Sequence, residues 1–598
     1  MKRTLLCALL LLAAAPGAGA QSRNFIRTRG DRLMDGDNEL RFVSYNIPNL
    51  AYIEDDHRFE QVNPFRVADE FEIRDALETI RQTGGRVTRM YVPSVHKAGD
   101  DPSVVRHVLA PGEFNEEAFR SYDRILQVAN EKHVRVIIPL VDNWWWWGGP
   151  NEYAAFRGKK REEFWTDSLL IADFRKTVAF LITRVNTLTG VAYRDDPAIL
   201  GWETGNELDC PYGWTRGLAA YIKGLDTNHL VIEGTNRRTI SDEALNDPNI
   251  DVLSTHYYSP AAQTIPAILA ARGMARGKKP YFVGEFGYIP VEEMRQVIDT
   301  VIASGVSGIM VWSLRTHNRD GGFYYHQNAY RWPGFPSGRS WEEEEVTALF
   351  REKAAAINGT SPPAPAIPAV PVLLPVESPY RISWQGSTGA TSYLIERKSA
   401  GDPFWTVISA NATDAAVGYR PLYADTTAEP GTRYAYRLRA RSAAGYSDLS
   451  DPSLPVAADA RVLIDELADG ARWFSASGGV TFVPPQDAAR AKEDRSRIRG
   501  AKGEFIEYGV RGSMTSFRVD LFATAPGADT TLVFLAGNAA DSLAAVPVTR
   551  EVFAPLRNEY GAYTAVRVAA SGDALRGRFL RIDLAPGCQI ARVEISYR

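Results

Sequence analysis

Two short stretches put carboxylates where a folded chain should avoid them. "GWETGNELDC" (residues 201–210) carries Glu207 directly after Asn206, at the end of the apolar run "AILGW". "PYFVGEFG" (residues 280–287) does the same with Glu285. Runs this short read as buried strands, and a buried carboxylate is costly unless a partner or a proton neutralises it. Two carboxyls brought together from separate strand ends are suited to breaking a glycosidic bond. One protonates the leaving oxygen while the other attacks the anomeric carbon, about 5–5.5 Å apart where configuration is retained.

Other groups suited to a polar cleft stand at or near the ends of similar runs: Arg89, Asn143, His256, Tyr258 and Trp312. Glu203 shares the parity of Glu207 but lies deeper, and reads as a structural group paired with a buried donor. His256 reads either as an active-site group or as a satisfied core histidine. "DNWWWWGG" sets Trp144 to Trp147 in a row. Strand side chains alternate faces, so four rings cannot share one core, and some should line a cleft where flat rings stack on sugars. A packed tryptophan loop is the alternative. No His/Cys/Asp cluster has metal-ligand spacing and no glycine-rich phosphate loop occurs, so neither metal nor cofactor is expected.

The elements that must carry these groups alternate. Strand-like runs start at Leu40, Arg86, Val134, Ala198, Leu230, Asp251, Pro280 and Gly308. Helical patterns such as "EFEIRDALETIRQTGG" and "EEMRQVIDTVIASG" lie between them. Repeated strand–helix alternation implies parallel strands with helical crossovers, and this count predicts an α/β (β/α)8 TIM barrel. Groups at the C-terminal strand ends then share one pocket, which is where catalytic groups of such barrels sit.

The pattern breaks at "NGTSPPAPAIPAVPVLLP", whose prolines favour an extended linker. Alternating strands and turn residues follow, predicting two C-terminal all-β sandwich domains. The expected boundaries are 1–20 signal peptide, 21–358 barrel, 359–368 linker, 369–456 first sandwich and 457–598 second sandwich. The N-terminus joins Lys2 and Arg3 to "LLCALLLLAAA" and an Ala-Gly-Ala site at Ala18 to Ala20, the layout of a secretory signal cleaved before Gln21. A secreted or periplasmic chain without membrane insertion is therefore expected. Cys210 and Cys588 then remain, too far apart to suggest a disulfide framework, with one long-range bridge as the alternative. The 598 residues are 45% hydrophobic and 23% charged, an ordinary globular composition. A net charge of −4 argues against a nucleic-acid or anionic-membrane partner.

Taken together, "GWETGNEL", "PYFVGEFG", Arg89, His256-x-Tyr258 and Trp312 resemble glycoside hydrolase family 5 over residues 25–358, within it most closely the endo-β-1,4-mannanases. That resemblance implies Glu207 as general acid/base and Glu285 as nucleophile. It implies Asn206 on the sugar 2-hydroxyl, Arg89 and Tyr258 hydrogen-bonded to the nucleophile, and Trp312 as sugar floor. Asn143, Trp144 and His256 join them as substrate-binding candidates. The acid role asks for a raised Glu207 pKa. The implied substrate is a β-linked polysaccharide or oligosaccharide. An exo-acting β-mannosidase or a β-1,4-glucanase on the same scaffold stays open, as does a non-catalytic carbohydrate-binding protein. The first sandwich, with an early Trp and "YAYRLRA", resembles a fibronectin type III domain. The second resembles a jelly-roll or carbohydrate-binding module.

Overall fold

The structure is a computed structural model. It describes residues 24–598 except 55, 236–237, 325–342, 416–419, 557–560, 573–574 and 576. The expected signal peptide thus lies outside the described residues.

Eight parallel strands form the barrel: β1 (Phe42–Ile47), β2 (Val87–Met90), β3 (Arg135–Pro139), β4 (Ile199–Glu203), β5 (Leu230–Ile232), β6 (Leu253–Tyr257), β7 (Tyr281–Phe286) and β8 (Gly308–Val311). They lie in the order β5-β4-β3-β2-β1-β8-β7-β6. A parallel bridge from Ile232 to Val252, with the Glu233 N–H donating to the Val252 carbonyl at 3.1 Å, joins the two ends. The barrel predicted from strand–helix alternation is therefore observed.

Crossover helices start where capping residues stop the chain from remaining extended. Asp69 accepts the Glu72 N–H, and the Glu72 side chain returns to the Asp69 N–H, a reciprocal cap that opens α1 (Glu70–Gln82). Asn115 caps α2 (Glu116–Lys132), which ends on the left-handed His133. Their apolar faces pack on the outward side chains of β1 to β3, such as Val43, Tyr45 and Val136.

Inside the barrel the strands grade from apolar to polar. Phe42, Val87, Ile137, Phe282 and Met310 form one buried layer, closed from below by Ile26 and Leu33 of an N-terminal hairpin. Side chains two residues apart share a face. The next inward positions are Ser44 and Arg89, and the next Asn46 and Tyr91, all buried. The hydrophobic effect thus fills the lower barrel, and polar groups collect at the C-terminal mouth.

Two all-β bodies follow. One has a five-stranded antiparallel sheet built on Ser392–Ser399 and Arg433–Ser442, over a core that includes Trp384, Tyr393 and Tyr436. The other packs a seven-stranded sheet, with Met514–Ala523 and Cys588–Tyr597 central, on a five-stranded sheet carrying Phe505–Gly509 and Phe579–Asp583. Cys210 and Cys588 are buried and unbridged. Among the described residues no helix is long and apolar enough to cross a membrane.

Candidate active site

Past Glu203 the chain turns sharply. The Asn206 N–H donates to the Val141 carbonyl at 2.7 Å, the Asn143 N–H to the Asn206 carbonyl at 3.0 Å and the Leu208 N–H to the Gly234 carbonyl at 2.9 Å. A Cβ on Gly205 would lie 2.6 Å from the Val141 oxygen, and one on Gly234 only 1.9 Å from the Gly205 oxygen. Glycine at both positions is therefore what lets the strand ends approach and hold this turn. Glu207 itself sits at φ +51°, a region non-glycine residues seldom occupy and one that recurs at functional sites.

Arg89 organises the mouth. Its guanidinium, wholly buried, donates to Glu203 Oε2 at 2.6 Å, Glu285 Oε1 at 2.8 Å and Asn206 Oδ1 at 2.8 Å. Three elements are thus registered by one planar fork, a task for which lysine lacks the geometry. Glu203 has the buried donor expected of it. Tyr258 donates to Glu285 Oε2. Glu207 accepts from the Trp144 indole at 2.8 Å, and His256 Nδ1 lies 2.9 Å from Glu207 Oε1 and 3.3 Å from Glu285 Oε2.

The electrostatics depart from one expectation. Burial pushes the Glu207 pKa up, but the hydrogen bond and charge of His256, with help from Trp144, outweigh it and hold the carboxyl below its ordinary value. The raised pKa asked of an acid is not what this arrangement gives Glu207. His256 moves the other way: burial opposes its charge, yet Glu285 and Glu207 raise its pKa above the ordinary value. The two shifts together favour a carboxylate beside an imidazolium.

These groups open onto a cavity of about 150 Å³ lined by Asn206, Glu207, Tyr258, Glu285, Trp144 and Trp312, among others. Arg89 and His256 stand behind that wall. The tryptophan run divides by task. Trp144 and Trp146 stack at 5.7 Å on the cavity wall, Trp147 is buried and donates to Glu54 at 2.8 Å, and Trp145 is 40% exposed.

Asn143 is not brought to the cavity. Its amide oxygen accepts from Arg161 at 2.6 Å and from the Asp209 N–H at 3.3 Å, so it ties the rim together from outside. The inward residue is its neighbour Asp142, wholly buried, which accepts from Asn206 Nδ2 at 2.9 Å and whose pKa burial raises to about 7. Alternation from the inward Ile137 points to Asn143, but β3 ends at Pro139 and Leu140 and Val141 both join the outer core, so the parity does not carry into the loop. Glu54, Tyr91 and Tyr288 also line the cavity without having been singled out. Tyr91 was legible by parity, two residues after Arg89, whereas Glu54 and Tyr288 lie on loops that carry no periodic signal.

Glu207, His256 and Glu285 bring possible ligand atoms within 4.8 Å of one another, the one such group among the described residues. Its surroundings do not suit a cation. Arg89 brings a fixed positive charge to Glu285, and donors from Trp144 and Tyr258 occupy carboxylate oxygens a metal would need.

Residues 61–261 match the model of a glycoside hydrolase family 5, β-mannosidase-like family. The chain is 29% identical over 260 residues to a mannan endo-1,4-β-mannosidase of Solanum lycopersicum, covering 41% of this chain and 61% of that protein. It is 32% identical over 158 residues to one from Arabidopsis thaliana, covering 24% and 38%. The chain thus spans less than two thirds of the length of either relative. Among solved structures, an endo-β-1,4-mannanase from Thermotoga petrophila aligns at 20% identity over 70% of this chain and 98% of its own, with a TM-score of 0.44. Over the residues these matches cover, the barrel is similar to the mannanase-like members of glycoside hydrolase family 5.

Proposed function

We propose that the chain hydrolyses β-1,4-mannosidic bonds with retention of configuration. The observation that carries this reading is that a carboxylate oxygen of Glu207 and one of Glu285 lie within 4.8 Å, each held by its own donors. Inverting pairs stand about 6.5–9.5 Å apart to admit a water between them. In this mechanism Glu285 attacks the anomeric carbon while Arg89 and Tyr258 fix its two oxygens. Glu207 delivers a proton to the departing oxygen. His256 passes Glu207 that proton across the 2.9 Å contact as the leaving oxygen takes it, which leaves Glu207 ionised and His256 neutral. Glu207 then takes a proton from the water that cleaves the glycosyl–enzyme ester. Mannan as substrate follows from the similarity to mannan endo-1,4-β-mannosidases.

We further propose export through the N-terminal segment, the domain boundaries given above, and fibronectin type III and jelly-roll assignments for the two sandwiches, each supported by the sequence patterns described. The test of the central reading is product analysis on mannohexaose. Proton NMR of the first product should show the β-anomer, and early α-anomer would overturn the mechanism. Glu285→Ala should lower kcat by roughly 10⁴-fold or more with the circular dichroism spectrum unchanged. Residual turnover near the wild-type rate would remove Glu285 from the nucleophile's place.

A further inference from the structure

The loop after β1 carries part of the cavity wall, namely Pro48 and Glu54. Glu54 also receives the Trp147 indole, which ties this loop to the tryptophan run. A few residues on, the loop leaves the barrel and enters the second sandwich. Phe59 is wholly buried there among Ala491, Phe522, Ala565 and Ala591, with the Phe522 and Phe553 rings edge-on at 5.7 and 5.9 Å.

Lys492 completes the grip. Its ammonium donates to the carbonyls of Arg58, Phe59 and Gln61 at 2.6, 2.8 and 2.7 Å. An ammonium has three donors, and all three are used on one loop. The Leu556 N–H donates to the Val62 carbonyl at 3.0 Å, and Arg567 pairs with Glu60 at 2.6 Å. Within residues 58–62 the loop's own backbone bond is Gln61 N–H to the Arg58 carbonyl at 3.0 Å. Segments with so few internal bonds open readily unless something outside holds them.

We infer that the second sandwich is part of the framework of the active site, with Lys492 and the Phe59 pocket acting as positioning groups that hold the β1 loop and so one wall of the cleft. The inference rests on reading that cleft as the sugar site. It makes the last domain necessary for substrate affinity without any contact between that domain and the reacting atoms. Phe59 anchors the loop by burial, and Lys492 sets the path of its main chain.

The test uses the full chain with Lys492→Met, which keeps the apolar stem and removes the donors. Hydrogen–deuterium exchange at residues 56–67 should quicken by about tenfold or more, with exchange in β4 unchanged. KM for mannohexaose should rise about tenfold while kcat stays within about threefold. Wild-type KM, or unchanged exchange at 56–67, would overturn the inference. So would faster exchange in β4 alongside the loop, because the lesion would then be global. Should Lys492→Met fail to fold, Glu60→Gln breaks only the rim pair with Arg567 and is judged by the same criteria at about a third of the amplitude. A wild-type chain that leaves mannohexaose intact would sink the substrate reading, and the exchange comparison would still decide the clamp.

Discussion

The barrel mouth and the seam between the barrel and the first sandwich both bury charge completely, yet they terminate it differently. At the mouth, the buried Arg89 binds Glu203 and Glu285, and Glu207 and Glu285 reach an open cavity. At the seam, the buried His317 lies between Asp414, bonded to Nε2 at 3.0 Å, and Asp75, at 2.9 Å from Nδ1 in an ion pair too oblique for a hydrogen bond. Thr388 and Tyr393 of the sandwich donate to the same two carboxylates. There is no room for anything else, since a Cβ on Gly386 would lie 2.3 Å from His317 Nε2. Buried titratable groups therefore do not by themselves mark chemistry. The useful distinction is whether the buried charge faces an opening or is consumed by its partners.

Removing the central charge at the mouth should have the largest effect on both stability and rate. Arg89→Met leaves Glu203 and Glu285 buried without their cation, and losing one partner of a buried pair costs about 3–5 kcal/mol. Turnover should fall by roughly 10³-fold or more, because the nucleophile loses both charge and alignment. Adding Glu203→Gln to that background should restore part of the stability and none of the rate, a coupling that denaturation and kinetics read separately. Rate returning together with stability would mean that Arg89 serves only the fold.

At the seam, the same kind of deletion should change stability and not chemistry. Burial works against the imidazolium of His317, but Asp75 and Asp414 outweigh it and carry its pKa up to about 10. A pKa raised on folding gives stability that is full below the unfolded value, near 6.5 for histidine, and is lost as pH climbs towards about 10. His317→Asn should therefore cost about 3 kcal/mol at pH 6, with the gap to wild type closing at alkaline pH and kcat per folded molecule nearly unchanged. Urea titrations at several pH values measure the gap. A gap that grows with pH would show that the histidine is buried neutral.

How much of this was legible in the sequence follows the range of each signal. Strand ends are local, so "GWETGNEL" and "PYFVGEFG" indicated Glu207 and Glu285 before any fold was known, and the alternation of elements indicated the barrel. Parity holds only while a strand lasts, and beyond Pro139, where β3 ends, it no longer separates Asn143 from Asp142. The depressed pKa of Glu207 depends on His256, which reaches it from another strand, and composition carries no trace of that distance. The grip of Lys492 on Phe59 and His317 on Asp414 joins residues hundreds or scores of positions apart with no shared pattern. Long-range pairing of this kind leaves each partner looking like an ordinary residue in its own segment.

The finest test separates the two ways in which the mouth could supply its proton. In the free protein Glu207 is held below its ordinary pKa and His256 above, so between those values one proton is shared by the pair and rests mostly on the imidazole. The basic limb of kcat/KM reports the loss of the essential proton from the free enzyme. With His256 present, that limb should lie above 6.5, the ordinary histidine value, because the pair keeps its proton until the imidazolium gives it up. His256→Gln keeps a polar side chain but removes the site where the proton rests. Glu207 must then hold its own proton, with burial as the main force raising its pKa from the carboxyl range. The basic limb should move towards acid by about one unit, a modest loss at neutral pH that grows as pH rises. Substrates with good leaving groups, which need little protonation, should show less of this loss. An unmoved limb would mean that Glu207 carries its own proton in the wild type, and His256 would then join His317 as a histidine whose charge only fastens structure.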